Sequence, residues 1–174
     1  MSIKEQVADF IVNARWETLP SPVQDQIRRC MVDDLGAALS GTSARVSQIT
    51  ADYAALTWPG DEATVLLQGK RAGAVGAAFA NGWAANSLDS DDGIRYAYGH
   101  AGAQIFPAAL AVAESRNLDG ARLLAGMAVG YEVAHRVGRC WHDSRDVYQA
   151  CGSWGSVACA AAAANLMDLT PEQA

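Results

Sequence analysis

Paired cysteines are missing from this sequence. Its four, Cys30, Cys140, Cys151 and Cys159, form no C-x-x-C unit and share no zinc-ligand spacing with histidine. That argues against a disulfide framework or a structural metal and leaves the thiols as small core hydrophobes. Positive charge is also short: 13 Lys and Arg against 19 Asp and Glu give a net charge of −6. This is the wrong sign for a nucleic-acid or anionic-membrane partner. No apolar run reaches the ~18 residues of a membrane span. The first residues, MSIKEQVADF, carry charges where a signal peptide needs an apolar stretch. Together these absences predict a cytoplasmic protein with reduced thiols and neither a nucleic-acid nor a membrane partner.

What is there is a helical pattern rich in alanine and glycine. Hydrophobic residues make up 51% of the 174 positions and charged residues 18%, a composition that builds one globular domain with a buried core. Ile3, Val7, Phe10, Ile11 and Ala14 share one face of a first helix. A second helix starts with Ser21 as cap and Pro22 in its first turn, and ends at Gly41. A third spans about 44–57, with Val46, Ile49, Tyr53 and Leu56 inward, before Pro59-Gly60 breaks it. Residues 63–69 read as one short strand without a partner. The stretch from Ala72 to Leu88 holds three glycines, which points to a central helix closely approached by its neighbours. Further helices are expected over 107–116, 119–139 and 152–167. The predicted fold is an all-α, Ala/Gly-rich multi-helix domain. The final LTPEQA reads as a helix start, with Thr170 as cap and Gln173 completing a capping box. A single nascent turn is an unstable ending, so the chain is expected to be cut short of its natural domain.

The segment with the most chemistry is SLDSDDGIRYAYGH, from Ser87 to His100. Asp89, Asp91 and Asp92 stand at the carboxyl end of a helix, where the macrodipole disfavours anions and like charges raise one another's pKa. A solvated helix end, partly neutralised by Arg95, is one reading. A calcium loop counted from Asp89 fails, because Gly93 falls at position five and His100 at twelve. The D-x-D-D pattern also occurs in class II terpene cyclases, but those are aromatic-rich and aromatics here are only 7%. A di-metal carboxylate site needs paired Glu-x-x-His motifs, and Glu132 with His135 supplies one copy. Proton transfer at a carbon acid, with Asp89 and His100 as acid/base partners at the two ends of one loop, is the remaining reading.

Four longer stretches keep a common order and spacing across almost the whole chain: AAFANGWAANSLDSDDG, GHAGAQIFPAALAVAE, GYEVAHRVG and GSWGSVACAAAAANLMDL. In this the chain resembles the MmgE/PrpD family, which includes 2-methylcitrate dehydratases, cis-aconitate decarboxylases and iminodisuccinate epimerases. The resemblance implies part of a large helical domain (residues 1–174), without the α/β lid domain that follows it in full-length members. It implies a cofactor-independent, metal-free lyase or isomerase acting on a small di- or tricarboxylate, and a homodimer joined through the helical domain. The active-site acid of the family falls on Asp89 and its histidine on His100, with Pro107 seven residues further on. Substrate contacts are implied for Asp92, Gly93, Gln149, Gly152 and Ser153, the last two as backbone amides at a positive helix end. Gly93 stands where many members have Thr, and the loop to His100 is about one residue longer. Gln149 stands where many have the His of a His-Pro pair, and a glutamine cannot exchange a proton near neutral pH. This departure favours an epimerase or a differently substituted subfamily. Only part of the site lies on this chain, so the isolated chain is expected to be inactive. The alternative is a truncated or degenerate helical module that only dimerises.

Overall fold

Side-chain caps open two of the described helices. In the computed structural model, which describes residues 1–147 and 151–174, α1 runs over Ile3–Asn13 and opens with a capping box. The Glu5 amide donates to Ser2 Oγ at 3.3 Å and the Ser2 amide donates to Glu5 Oε2 at 2.7 Å. A 3₁₀ turn, Trp16–Thr18, leads to α2, Ser21–Gly41. Ser21 is helical and makes no cap bond; the capping position falls on Pro20. Then come α3 (Arg45–Thr57), β1 (Ala63–Val65), β2 (Lys70–Ala72), α4 (Ala74–Asn86), α5 (Gly102–Ser115), α6 (Gly120–Ser144) and α7 (Gly152–Leu166). Asp119 caps α6 by accepting from the Arg122 amide at 2.9 Å. The domain is mainly α, as its periodicity predicts.

Three local expectations are corrected. The segment 63–69 is half of a hairpin: β1 pairs antiparallel with β2, Ala63 opposite Ala72, around a turn in which Leu67 and Gly69 have φ of 52° and 62°. Helix α5 begins at Gly102, five residues before Pro107, which lies buried inside it. The inward faces of α1 and α3 also differ from those expected. Helix α1 buries Ala8, Ile11 and Val12 and exposes Ile3, Val7 and Phe10. Helix α3 buries Ser47, Thr50, Ala51 and Ala54, while Ile49, Tyr53 and Leu56 face outward. The reason is steric: Ala51 and Ala54 meet Ala77 and Ala80 of α4, and alanine against alanine brings the helices too close for larger residues.

Helix α4 packs on α2, α3 and α5, and α5 packs on α4, α6 and α7. The main core gathers between them, with Trp154, Phe106, Ile105, Met127 and Leu166 fully buried. The α6–α7 seam is the most extensive helix contact among the described residues. A Cβ placed on Gly126 would lie 2.6 Å from Leu166 Cγ, so only glycine permits this spacing. The connection between α4 and α5 crosses the end of this stack, and it carries the acidic segment.

Candidate active site

The chain leaves α4 with Ser87 Oγ donating to Ala84 O, and Asp89 takes a left-handed conformation at φ 52°. A non-glycine residue held there is uncommon and costs roughly 1 kcal/mol or more. Beyond it a narrow ladder forms: the Ile94 amide donates to Gly99 O at 2.8 Å and the Gly99 amide to Ile94 O at 3.4 Å. The chain therefore doubles back, and His100 returns beside the acids that precede it.

His100 Nδ1 lies 3.1 Å from the Asp91 carbonyl oxygen and 3.2 Å from Asp91 Oδ2. Its Nε2 lies 3.9 Å from Asp89 Oδ1. The Asp91 side chain is fully buried and its Oδ2 has no aligned donor, so it acts on the ring through charge and not through a directed bond. Burial pushes the Asp91 carboxyl above its ordinary range, opposed by its own backbone hydrogen bond, by His100 and by Asn86. Asp89 differs sharply, with 85% of its side chain exposed. Side-chain donors of Asp89, Asp91 and His100 come within 4.8 Å of one another. The two carboxylates meet different ring nitrogens, Asp91 at Nδ1 and Asp89 near Nε2, an arrangement in which both charges act on one imidazole.

The ring opens onto a cavity of about 480 Å³ between α4, α5 and α7. Phe79, Trp83 and Asn86 line it from α4, Gln104 from α5, and Gly152 and Ser156 from α7. Among the described lining residues none is Lys or Arg. Positive potential therefore comes from the amino end of α7 and from side-chain amides. Trp154 fixes that end: it is fully buried, and its Nε1 donates to Ala97 O of the hairpin at 3.1 Å.

Asp92 turns the other way. Its Oδ1 accepts from the Gly102 amide at 2.8 Å, which ties the base of the loop to the first turn of α5. Its Oδ2 is 2.7 Å from the Tyr131 hydroxyl of α6, and that hydroxyl is 2.9 Å from Asp34 Oδ2 of α2. Asp34 is completely buried. Burial first, and the Asp92 charge next, push its carboxyl up to about 8, against the lowering effect of the Tyr131 bond. Tyr131 is pushed well above the ordinary phenol range by burial and by the two carboxylates. A Cβ on Gly102 would fall 1.7 Å from Asp34 Oδ1, so the helix start must be glycine for the carboxyl to fit over it.

Of the expected site residues, the structure brings His100 and Gly152 to one cavity, with Asp89 3.9 Å from the His100 ring. Ser153 follows Gly152 in the first turn of α7. Asp92 and Gly93 line a different cleft, of about 840 Å³ between α2 and α6, together with Tyr131 and His135. Glu132 is ion-paired with Arg136, and burial lowers the His135 pKa. Gln149 lies outside the described residues. Sequence reasoning assigned no role to Asp34, Asp91 or Tyr131. Asp34 did leave a signal: it sits on the stripe of α2 that holds Ile27, Cys30, Ala37 and Ala38, an acid where the period calls for an apolar residue.

A helical domain of this order, with an acid–histidine loop between its fourth and fifth helices, defines the class. The chain belongs to the MmgE/PrpD family, whose N-terminal domain matches residues 5–174. Among curated proteins, it is 30% identical over 177 aligned positions to cis-aconitate decarboxylase of Homo sapiens, an alignment covering 97% of this chain. The chain spans 37% of the length of that relative.

Proposed function

We propose that this chain supplies the acid/base half of a cofactor-independent lyase or isomerase acting on a small di- or tricarboxylate. The observation that carries the reading is His100, held with Asp91 at Nδ1 and Asp89 near Nε2 on the wall of the α4/α5/α7 cavity. In this reading Nε2 takes the proton from the carbon next to a substrate carboxylate. Asp89 offsets the imidazolium charge that results, and Asp91 holds the ring in one orientation. The electron pair left on carbon spreads into the carboxylate. The amides of Asn86 and Gln104, and the amino end of α7 at Gly152 and Ser153, meet the charge that develops there. Returning the proton to the opposite face gives epimerisation, and losing a β-hydroxyl as water gives elimination. The name of the human relative, cis-aconitate decarboxylase, supports carbanion chemistry of the same kind, in which the pair comes from a broken carbon–carboxylate bond.

The test is turnover of cis-aconitate, methylcitrate and iminodisuccinate by protein carrying this chain, with solvent deuterium incorporation followed by NMR. His100→Ala and Asp89→Ala are each expected to lower the rate by roughly 10²–10⁴-fold. Unchanged turnover in both variants would sink the assignment.

A second reading has its own observation. Ile49, Tyr53 and Leu56 leave an apolar face of α3 exposed, as a helical module that dimerises would. Sedimentation read together with exchange distinguishes the two: a self-associating chain with no deuterium exchange at any of the three substrates favours the module.

A further inference from the structure

The hydroxyl of Tyr131 has one proton and two carboxylate neighbours, at 2.7 Å on Asp92 and 2.9 Å on Asp34. It can donate to only one of them. The second short contact needs a proton of its own, and the surroundings decide which carboxyl holds it. Asp92 already accepts from the Gly102 amide, so its negative charge is stabilised by two donors. Asp34 has no other donor, and its Oδ1 is buried without a partner over Gly102. An orphaned oxygen is far cheaper on a neutral acid than on a carboxylate. The charged and titratable groups facing Asp34 are Cys30 and Asp33 of its own helix, Asp91 and Asp92 of the loop, and Tyr131 of α6. None is a cation.

We infer that Asp34 and Tyr131 are positioning residues for His100: neutral Asp34 donates to Tyr131, Tyr131 donates to Asp92, and Asp92 ties the two ends of the histidine loop together through Gly102. Asp91, which meets the His100 ring, is the residue next to Asp92, and His100 is two residues before Gly102. The chain of bonds thus ends at both strands of the loop base. When Asp34 ionises, two carboxylates compete for one hydroxyl proton and repel each other, and the Asp92 bridge loosens. The loop is therefore clamped in its His100-presenting form only while a carboxyl buried on a different helix keeps its proton. The role assigned to the clamp rests on the acid/base reading above, but its existence does not.

The experiment uses this chain labelled with ¹³C and ¹⁵N. The Asp34 ¹³Cγ signal is expected to be that of a protonated acid near neutrality and to titrate around pH 8, with the Gly102 amide and His100 ring signals moving at the same midpoint. Asp34→Asn keeps a neutral donor to Tyr131, so it should hold those signals steady to about pH 9. Asp34→Ala and Tyr131→Phe should shift them throughout and lower Gly102 amide protection about tenfold or more. An Asp34 carboxyl that titrates in the ordinary acid range overturns the proposal, even if no variant folds. So does an Asn variant that behaves like the Ala variant, or full Gly102 protection in Tyr131→Phe. Loss of turnover in the His100 and Asp89 variants is a separate result, so the clamp and the catalytic reading can fail independently.

Discussion

The two sides of the acidic loop treat carboxylates in opposite ways. On the cavity side Asp89 is largely in water and Asp91 faces an imidazole edge. On the α2/α6 side Asp34 and Asp92 are bridged by a tyrosine, and neither is left to meet a solute in the His100 cavity. Adjacent residues in sequence thus divide between facing the imidazole and tying helices to the loop. The difference teaches that charge density in a motif says little until the donors around each oxygen are counted. Asp91 and Asp92 are neighbours, yet one has an oxygen with no donor and the other accepts from two.

The comparison breaks most completely by removing what holds the cavity side. Trp154→Ala deletes a fully buried indole and its bond to Ala97. We expect a loss of about 3–5 kcal/mol in urea unfolding, with the hairpin amides Ile94 and Gly99 losing exchange protection first. Equal protection in the variant would show that the hairpin stands without α7.

A pH-dependent effect sharpens the buried side. Asp34 titrates near 3.8 when unfolded and near 8 when folded. Between those values the unfolded chain has released a proton that the folded chain keeps. The stability due to neutral Asp34 is therefore full below about pH 4, is lost as pH rises toward 8, and levels off above it, with a slope of at most about 1.4 kcal/mol per pH unit. Asp34→Asn removes this slope, so melting curves of the two proteins taken from about pH 5 to about pH 8 should diverge steadily, with the wild type falling faster. Parallel curves would mean an ionised Asp34.

The smallest effect is expected where neither side is touched. Leu56, 81% exposed on α3, changed to Ser should alter unfolding free energy by no more than about 0.5 kcal/mol. Its value is as a probe of association: a lower sedimentation coefficient in the variant would place the copy–copy contact on α3.

Helix existence was readable from the hydrophobic period and from breakers such as Pro59-Gly60, which act through local backbone chemistry, whereas the cap expected at Ser21 falls on Pro20. Helix orientation on α1 and α3 was not. A hydrophobic period drawn through Ile49, Tyr53 and Leu56 follows the largest side chains, whereas the buried face is set by the alanines of α4 and admits only Ser47, Thr50, Ala51 and Ala54. Pro107 misled for a related reason: proline suits a first turn, but here it lies buried in the second turn of α5, where it has no N–H to donate to Ala103 O. In the site, Asp89 and His100 stand together because the loop is local in sequence. The bridge through Asp34 and Tyr131 spans 97 positions, and no local pattern pairs residues that far apart. Asp92 joins that bridge, its two oxygens accepting from Gly102 and Tyr131.

The glycine at position 126 has a reach beyond its own contact. It fixes how closely α6 lies on α7 through Leu166, and these two helices also carry Tyr131 and Trp154, which grip the acidic loop at separate points. The loop is in effect a strain gauge mounted across that seam. A displacement between the two helices therefore changes the distance between the loop's two anchor points, Asp92 and Ala97.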